Sequence, residues 1–144
     1  FKILKGRFIT GQYIILDVKE MTWQGACAGH NPILSFNSQE KTVVELLGAS
    51  GPPLGLVDKI VYSTEKNKLF GNEKFFMYTD GWTEARNKKN EEFGIKRLME
   101  VFAKTGLDSI ENTQKKMQQA IDDFEIKDQQ HDDITSVFLE LKVK

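Results

Sequence analysis

Lys74-Phe-Phe-Met-Tyr-Thr-Asp80-Gly81-Trp82-Thr83-Glu84-Ala85-Arg86-Asn87 begins as an apolar run and ends in a carboxylate, a glycine and a polar tail. Phe75, Phe76, Met77 and Tyr78 suit a strand at the centre of a sheet, where aromatic and long apolar side chains pack on a pleated surface. Asp80 falls where that strand stops. A lone buried carboxylate is costly in free energy, so Asp80 must face solvent, a partner or a cation. Gly81 permits a sharp turn with the backbone close to whatever Asp80 holds. Asp-Gly is also among the commonest turn pairs, so these residues by themselves fit an ordinary turn equally well.

Toward the C-terminus, His131-Asp132-Asp133-Ile134-Thr135 introduces a second alternating run. Adjacent carboxylates repel and are normally avoided at the mouth of a strand. If Asp80 and Asp132-Asp133 lie at neighbouring strand ends, they form a hard, oxygen-only site suited to Mg²⁺ or Mn²⁺. The final run, residues 133–143, alternates with Val137, Leu139, Leu141 and Val143 on one side. The pattern predicts that this strand closes the sheet.

Between the two acidic sites the apolar period becomes helical. Ile95, Leu98, Met99 and Phe102 predict an amphipathic helix from Phe93 to about Lys104, with Gly106 as its stop. Asp108-Ser-Ile-Glu111 reads as a capping box with Asp108 as the cap. Ile110, Met117, Ile121 and Phe124 share one face of the helix that follows. Lys115-Lys116 reads as a solvated surface, and Lys88 to Glu92 as a solvated charged loop.

Upstream of Lys74 the chain reads as strands. Phe8 to Asp17 and Met21 to Ala28 predict a hairpin, with Trp23, Gly25 and Cys27 on one face. The small residues of the second strand imply that something packs close to it. Gly29-His30-Asn31-Pro32 ends that strand, since Pro32 disfavours helix for Asn31. His30 fits either an acid, base or ligand role, or a ring bonded to the turn backbone. Ile33 to Phe36 and Thr42 to Leu47 predict a second hairpin. Gly48 to Gly55, with Pro52-Pro53, is a loop. No Lys-Ser/Thr pair follows its glycines, which excludes a phosphate-binding P-loop. Lys59 to Thr64 reads as a strand and Lys66 to Asn72 as a polar turn. Strands followed by two helices and a strand predict an α+β layered domain with mostly antiparallel pairing, not a doubly wound parallel sheet.

The 144 residues suffice for one domain with a sizeable core. Twenty basic residues against twenty-one acidic ones, with no basic stripe, argue against nucleic acid as a partner. No apolar run approaches a bilayer span, so no membrane insertion is expected. The single cysteine, Cys27, excludes an internal disulfide, fits a cytoplasmic location and reads as core filler.

With these pieces in order, the chain resembles the C-terminal part of type 2C metal-dependent serine/threonine protein phosphatases. The likeness is to the bacterial branch with the sporulation phosphatase IIE and the stress-response regulators that act on anti-sigma-factor antagonists. Phe8-Ile-Thr10 through Leu16-Asp17 is similar to its "F-x-T…L-D" strand. Ala28-Gly-His-Asn-Pro32 is similar to its "A-G-H-x-P" turn, and Gly51-Pro-Pro-Leu-Gly-Leu56 to its "G-x-P-L-G" loop. Tyr78-Thr-Asp-Gly81, Thr83-Glu-Ala-Arg-Asn87 and Glu92-Phe-Gly94 resemble its longest motif. Asp132-Asp-Ile-Thr135 resembles its closing "D-D-x-T". Five motifs in family order, spanning nearly the whole chain, make a specific signal.

The resemblance implies part of a four-layer α-β-β-α sandwich and a two-metal site. In such a site a metal-activated water attacks phosphorus without a covalent enzyme intermediate. It implies Asp80 and Asp132 as metal carboxylates, with Asp133 ranked lower because relatives often carry asparagine there. It implies no catalytic role for His30. It also implies a phosphoprotein substrate, Mn²⁺ or Mg²⁺ as the ions, and an upstream sensor or regulatory domain. The family's earlier metal-binding Gly-His-Gly segment has no counterpart before Phe8, and the chain begins with Phe rather than Met. Residues 1–144 are therefore expected to be the C-terminal portion of one phosphatase domain, inactive without its N-terminal portion. The sheet edge left open would pair with another chain, a second copy included. A non-catalytic binding or dimerisation module derived from this fold is the alternative expectation.

Overall fold

A computed structural model of the chain describes residues 7–48, 51–125 and 133–142. In chain order its elements are β1 (Gly11–Asp17), β2 (Thr22–Ala28), β3 (Ile33–Asn37), β4 (Thr42–Leu46), β5 (Glu65–Lys68) and β6 (Glu73–Tyr78). They continue with α1 (Gly81–Glu84), α2 (Gly94–Thr105), α3 (Ile110–Phe124) and β7 (Ser136–Glu140). The chain divides into two compact units, residues 1–33 with 45–71, and residues 34–44 with 72–144. Among the described residues no helix is long and apolar enough to cross a membrane.

The first unit holds an antiparallel sheet in the order β1-β2-β5. The β1–β2 hairpin pairs Gly11 with Ala28 and Asp17 with Thr22. Its turn is fixed by Asp17, whose Oδ1 accepts the backbone N–H groups of Lys19 and Glu20, both at 3.0 Å. Trp23, Gly25 and Cys27 are buried on one face, as their alternation predicts. The close packing expected of the small residues is present. A Cβ on Gly25 would stand 2.4 Å from Tyr13 O and 2.7 Å from Leu47 Cδ1.

The expected strand at Lys59 to Thr64 is not formed, and Val61 is 91% exposed. The third strand is instead β5, inside the stretch read as a polar turn. It pairs Thr22 with Lys68 and Gly25 with Glu65, and all four of its residues are exposed. Main-chain hydrogen bonds to β2 make it a strand, so no apolar alternation marks it.

The second unit holds an antiparallel sheet in the order β4-β3-β6-β7, with helices α1 to α3. The central position of β6 follows from its apolar run. Leu34 of β3 and Phe138 of β7 both stand opposite Phe76. Phe76 is fully buried at the middle of the core. Its ring stacks on Phe138 at 4.5 Å and Tyr78 at 5.0 Å, meets Trp82 edge-on at 5.2 Å and tilts against Phe102 at 5.7 Å. Helix α2 adds Leu98 and Phe102, and α3 adds Met117 and Ile121.

One sequence expectation for this unit, the cap of the second long helix, is corrected. On β7 the inward side chain is Phe138, whereas Val137 and Leu139 lie on the exposed side. Val143 lies outside the described residues. The cap of α3 is Ser109, which accepts from the backbone N–H of Asn112 at 3.3 Å, not Asp108. Asp108 instead pairs with Lys116 at 2.8 Å, and its carbonyl accepts the buried Lys74 ammonium. The Glu111 carboxyl sits below its ordinary pKa because its own backbone N–H and then Ser109 hydrogen-bond to it. Gly106 ends α2 in right-handed geometry, with φ −60°. Its glycine is needed for packing, since a Cβ there would stand 2.5 Å from the Phe36 ring.

Candidate functional site

Asp80 lies two residues beyond β6, at the N-cap of the one-turn helix α1. Its own backbone is helical, with φ −58° and ψ −25°. Its carbonyl accepts the Thr83 N–H at 2.8 Å, the Glu84 N–H at 2.9 Å and the Thr83 hydroxyl at 2.9 Å. The carboxylate makes no capping bond to the helix and is exposed. An aspartate in this position ordinarily accepts from the second or third helical N–H. Here the main chain of Asp80 holds the turn, and its side-chain oxygens have no part in the cap.

The entry to β7 lies against the same turn. The Thr79 N–H donates to Thr135 O at 3.0 Å, extending the β6–β7 ladder one step past Tyr78 and Ser136. The Thr79 hydroxyl donates to Asp133 O at 2.9 Å and accepts from the Thr135 N–H at 3.0 Å. A Cβ on Gly81 would stand 2.8 Å from Asp133 O and 3.1 Å from its carbonyl carbon. Gly81 is therefore required for close approach. Its φ is not positive and the chain enters a helix there, so the predicted sharp turn is a helical one.

These contacts bring Asp80 and the backbone of Asp133 to the same end of the β6–β7 pair. Asp133 is exposed there. Asp132 lies outside the described residues. Among the described residues no three His, Cys, Asp or Glu side chains gather so as to hold a metal. The exposed oxygen donor of Asp80, with no part in the cap, fits a hard divalent cation as one of several ligands. A complete site would need further oxygen donors around it.

The polar tail of the stretch is built rather than merely solvated. Asn87 Oδ1 accepts the N–H groups of Lys89 at 2.9 Å and Glu91 at 3.1 Å, while its amide donates to Glu91 Oε2 at 2.9 Å. Arg86 pairs with Glu92 and donates to Asn90 O at 3.0 Å. The chain thus closes on itself between α1 and α2.

In the first unit, among the described residues, the His30 ring bonds a side chain and not the turn backbone. Its Nδ1 hydrogen-bonds the Thr10 hydroxyl at 3.0 Å, and the Cys27 thiol donates to His30 O at 3.2 Å. The residue missed in the sequence is Thr79. Its only signal there was a hydroxyl wedged between an apolar strand and a carboxylate.

The sequence model of the family described as Stage II sporulation protein E (SpoIIE) matches residues 2–142. Protein IcfG of Synechocystis sp. (strain ATCC 27184 / PCC 6803 / Kazusa) is 30% identical over 95 residues, covering 66% of this chain and 15% of that protein. Among solved structures, the SiaA-PP2C domain of Pseudomonas aeruginosa aligns with a TM-score of 0.79 at 18% identity, over 92% of this chain and 52% of that one. The RsbU and RsbW domains of Rv1364c from Mycobacterium tuberculosis align with a TM-score of 0.76 at 18% identity, over 92% and 37%. The phosphatase domain of the cell fate determinant SpoIIE from Bacillus subtilis, presoaked with Mn, aligns with a TM-score of 0.72 at 13% identity, over 99% and 63%. At these identities the structural likeness shows the fold, an α+β arrangement of antiparallel sheets and few helices shared with PP2C domains. The chain spans about half the length of the SiaA domain and a smaller share of IcfG.

Proposed function

The chain belongs to the stage II sporulation protein E family, and from that premise we propose that it is the C-terminal portion of a metal-dependent serine/threonine protein phosphatase domain. The observation that carries this reading is the exposed Asp80 carboxylate, which does not cap its helix, at the strand end where the Asp133 backbone is held. Asp80 and Asp132 are the proposed metal carboxylates, with Asp133 as a further candidate. Mn²⁺ or Mg²⁺, as a pair in the intact domain, would generate hydroxide from water at neutral pH and draw charge from the phosphoryl oxygens. The chain's own part is to present oxygen donors at one sheet end and to hold that end rigid. The proposed substrate is phosphoserine or phosphothreonine on a regulatory protein, such as an anti-sigma-factor antagonist. An upstream sensor domain and a second copy of the chain are the proposed partners.

The test is phosphate release from a phosphoserine peptide by the protein extended upstream of Phe1. Release should stop with excess EDTA and return when Mn²⁺ is restored. Undiminished turnover in EDTA would overturn the reading. No release under any metal, together with saturable binding of a regulatory protein, would favour a non-catalytic module instead.

A further inference from the structure

Thr79 is the residue of this region whose chemistry the proposed phosphatase reading leaves unused. It is neither a carboxylate nor an exposed hydroxyl awaiting a partner. Its Oγ1 is already committed, donating to Asp133 O at 2.9 Å, with Thr135 O as a longer acceptor at 3.4 Å, and accepting from the Thr135 N–H at 3.0 Å. Both partners are 54 to 56 residues away in the chain. A second contact converges on the same carbonyl, because the missing side chain of Gly81 lets Asp133 O come within 2.8 Å of its Cβ position. The hydroxyl and the glycine stand on either side of Asp80. One pulls the Asp133 peptide in and the other makes room for it.

We infer that Thr79 is a positioning residue, its hydroxyl fixing the Asp133 main chain against the Asp80 turn so that a divalent cation can be held by Asp80 and Asp133. This rests on the proposed metal role of Asp80. The physical argument is one of preorganisation. Mg²⁺ and Mn²⁺ require closely placed oxygen donors, and an unfastened strand entry spreads them over many positions. The ordinary β ladder does not supply this constraint. The last main-chain bond of the β6–β7 pair is Thr79 N to Thr135 O, two residues short of Asp133. Beyond it, the side chain of Thr79 carries the register to Asp133.

The consequence separates Thr79 from a residue that merely stabilises the fold. Thr79→Val keeps the shape and removes every hydrogen bond of the hydroxyl. Thr79→Ser keeps the hydroxyl. The probe is Mn²⁺ alone, titrated into the isotope-labelled protein extended upstream of Phe1, with selective broadening of backbone amide signals read by NMR. In the wild type, the amides of residues 79–82 and 133–135 should broaden together with one midpoint. In Thr79→Val that midpoint should rise about tenfold, the low end of what losing an outer-shell partner of a metal ligand costs. Thr79→Ser should stay near the wild-type value. Thr79→Ala replaces the valine variant should the latter fail to give a folded spectrum. An unchanged midpoint in the folded hydroxyl-less variant would overturn the inference and leave the metal role of Asp80 standing. Absence of selective broadening near Asp80 in the wild type would instead overturn the metal role itself, and the inference with it.

Discussion

Asp80→Asn should lower Mn²⁺-dependent phosphate release by the upstream-extended protein by at least roughly 100-fold, the upper end of what loss of even an outer-shell partner costs a metal site. The same substitution should leave the fold untouched. The helix turn at Asp80 is held by its carbonyl, through Thr83 and Glu84, and not by its carboxylate. Asparagine caps helices as well as aspartate does. Melting should therefore stay within about 2 °C of the wild type, as for other exposed substitutions that break no special contact. Steady-state kinetics and a thermal scan on one preparation check both halves. A large loss of rate with unchanged melting is the expected result. Equal rates would mean that Asp80 is an ordinary turn residue.

The second large effect is on stability. Phe76→Ala should destabilise the chain by about 3–5 kcal/mol, the usual cost of truncating a fully buried phenylalanine. Its ring contacts Tyr78, Trp82, Phe102 and Phe138, which lie on β6, α1, α2 and β7. No single neighbour can move in to fill the space without leaving another. A loss of that size is a large part of the roughly 5–15 kcal/mol that holds a typical domain together. Urea unfolding reads it as a lowered midpoint, with Val61→Ala as the control. Val61 is 91% exposed, so its truncation should be near neutral. A Phe76→Ala midpoint equal to that of the control would show that the core is not centred on β6.

What the sequence disclosed and what it hid follow from the kind of interaction involved. The central strand, the two longer helices and the β1–β2 hairpin were legible because apolar period and turn chemistry agree there. β5 was not, because its residues Glu65 to Lys68 are all exposed and owe their strand to hydrogen bonds with β2. The side of β7 that meets the helices was not legible. Val137 and Leu139 alternate as a core face would, yet one larger ring, Phe138, occupies the inward position against Phe76. Gly106 was legible as a helix end but not for its reason, which is a ring from β3 brought against it by the fold. Of the candidate site, Asp80 and Asp133 are described and Asp132 lies outside the described residues. Asp80 and the acidic pair stood out as carboxylates at strand mouths. Thr79 did not, because the partners of its hydroxyl lie more than fifty residues away and no local pattern announces them.

The account stands on Asp80 and the Asp132-Asp133 segment sharing a cation. Crystals of the upstream-extended protein soaked in Mn²⁺ and measured at the manganese absorption edge test this directly. An anomalous peak bonded to carboxylate oxygens of both Asp80 and Asp132, at roughly the 2.0–2.2 Å of a small divalent cation with oxygen ligands, is the predicted result. Manganese bound elsewhere, with the Asp80 and Asp132 carboxylates turned to separate surfaces, would contradict it.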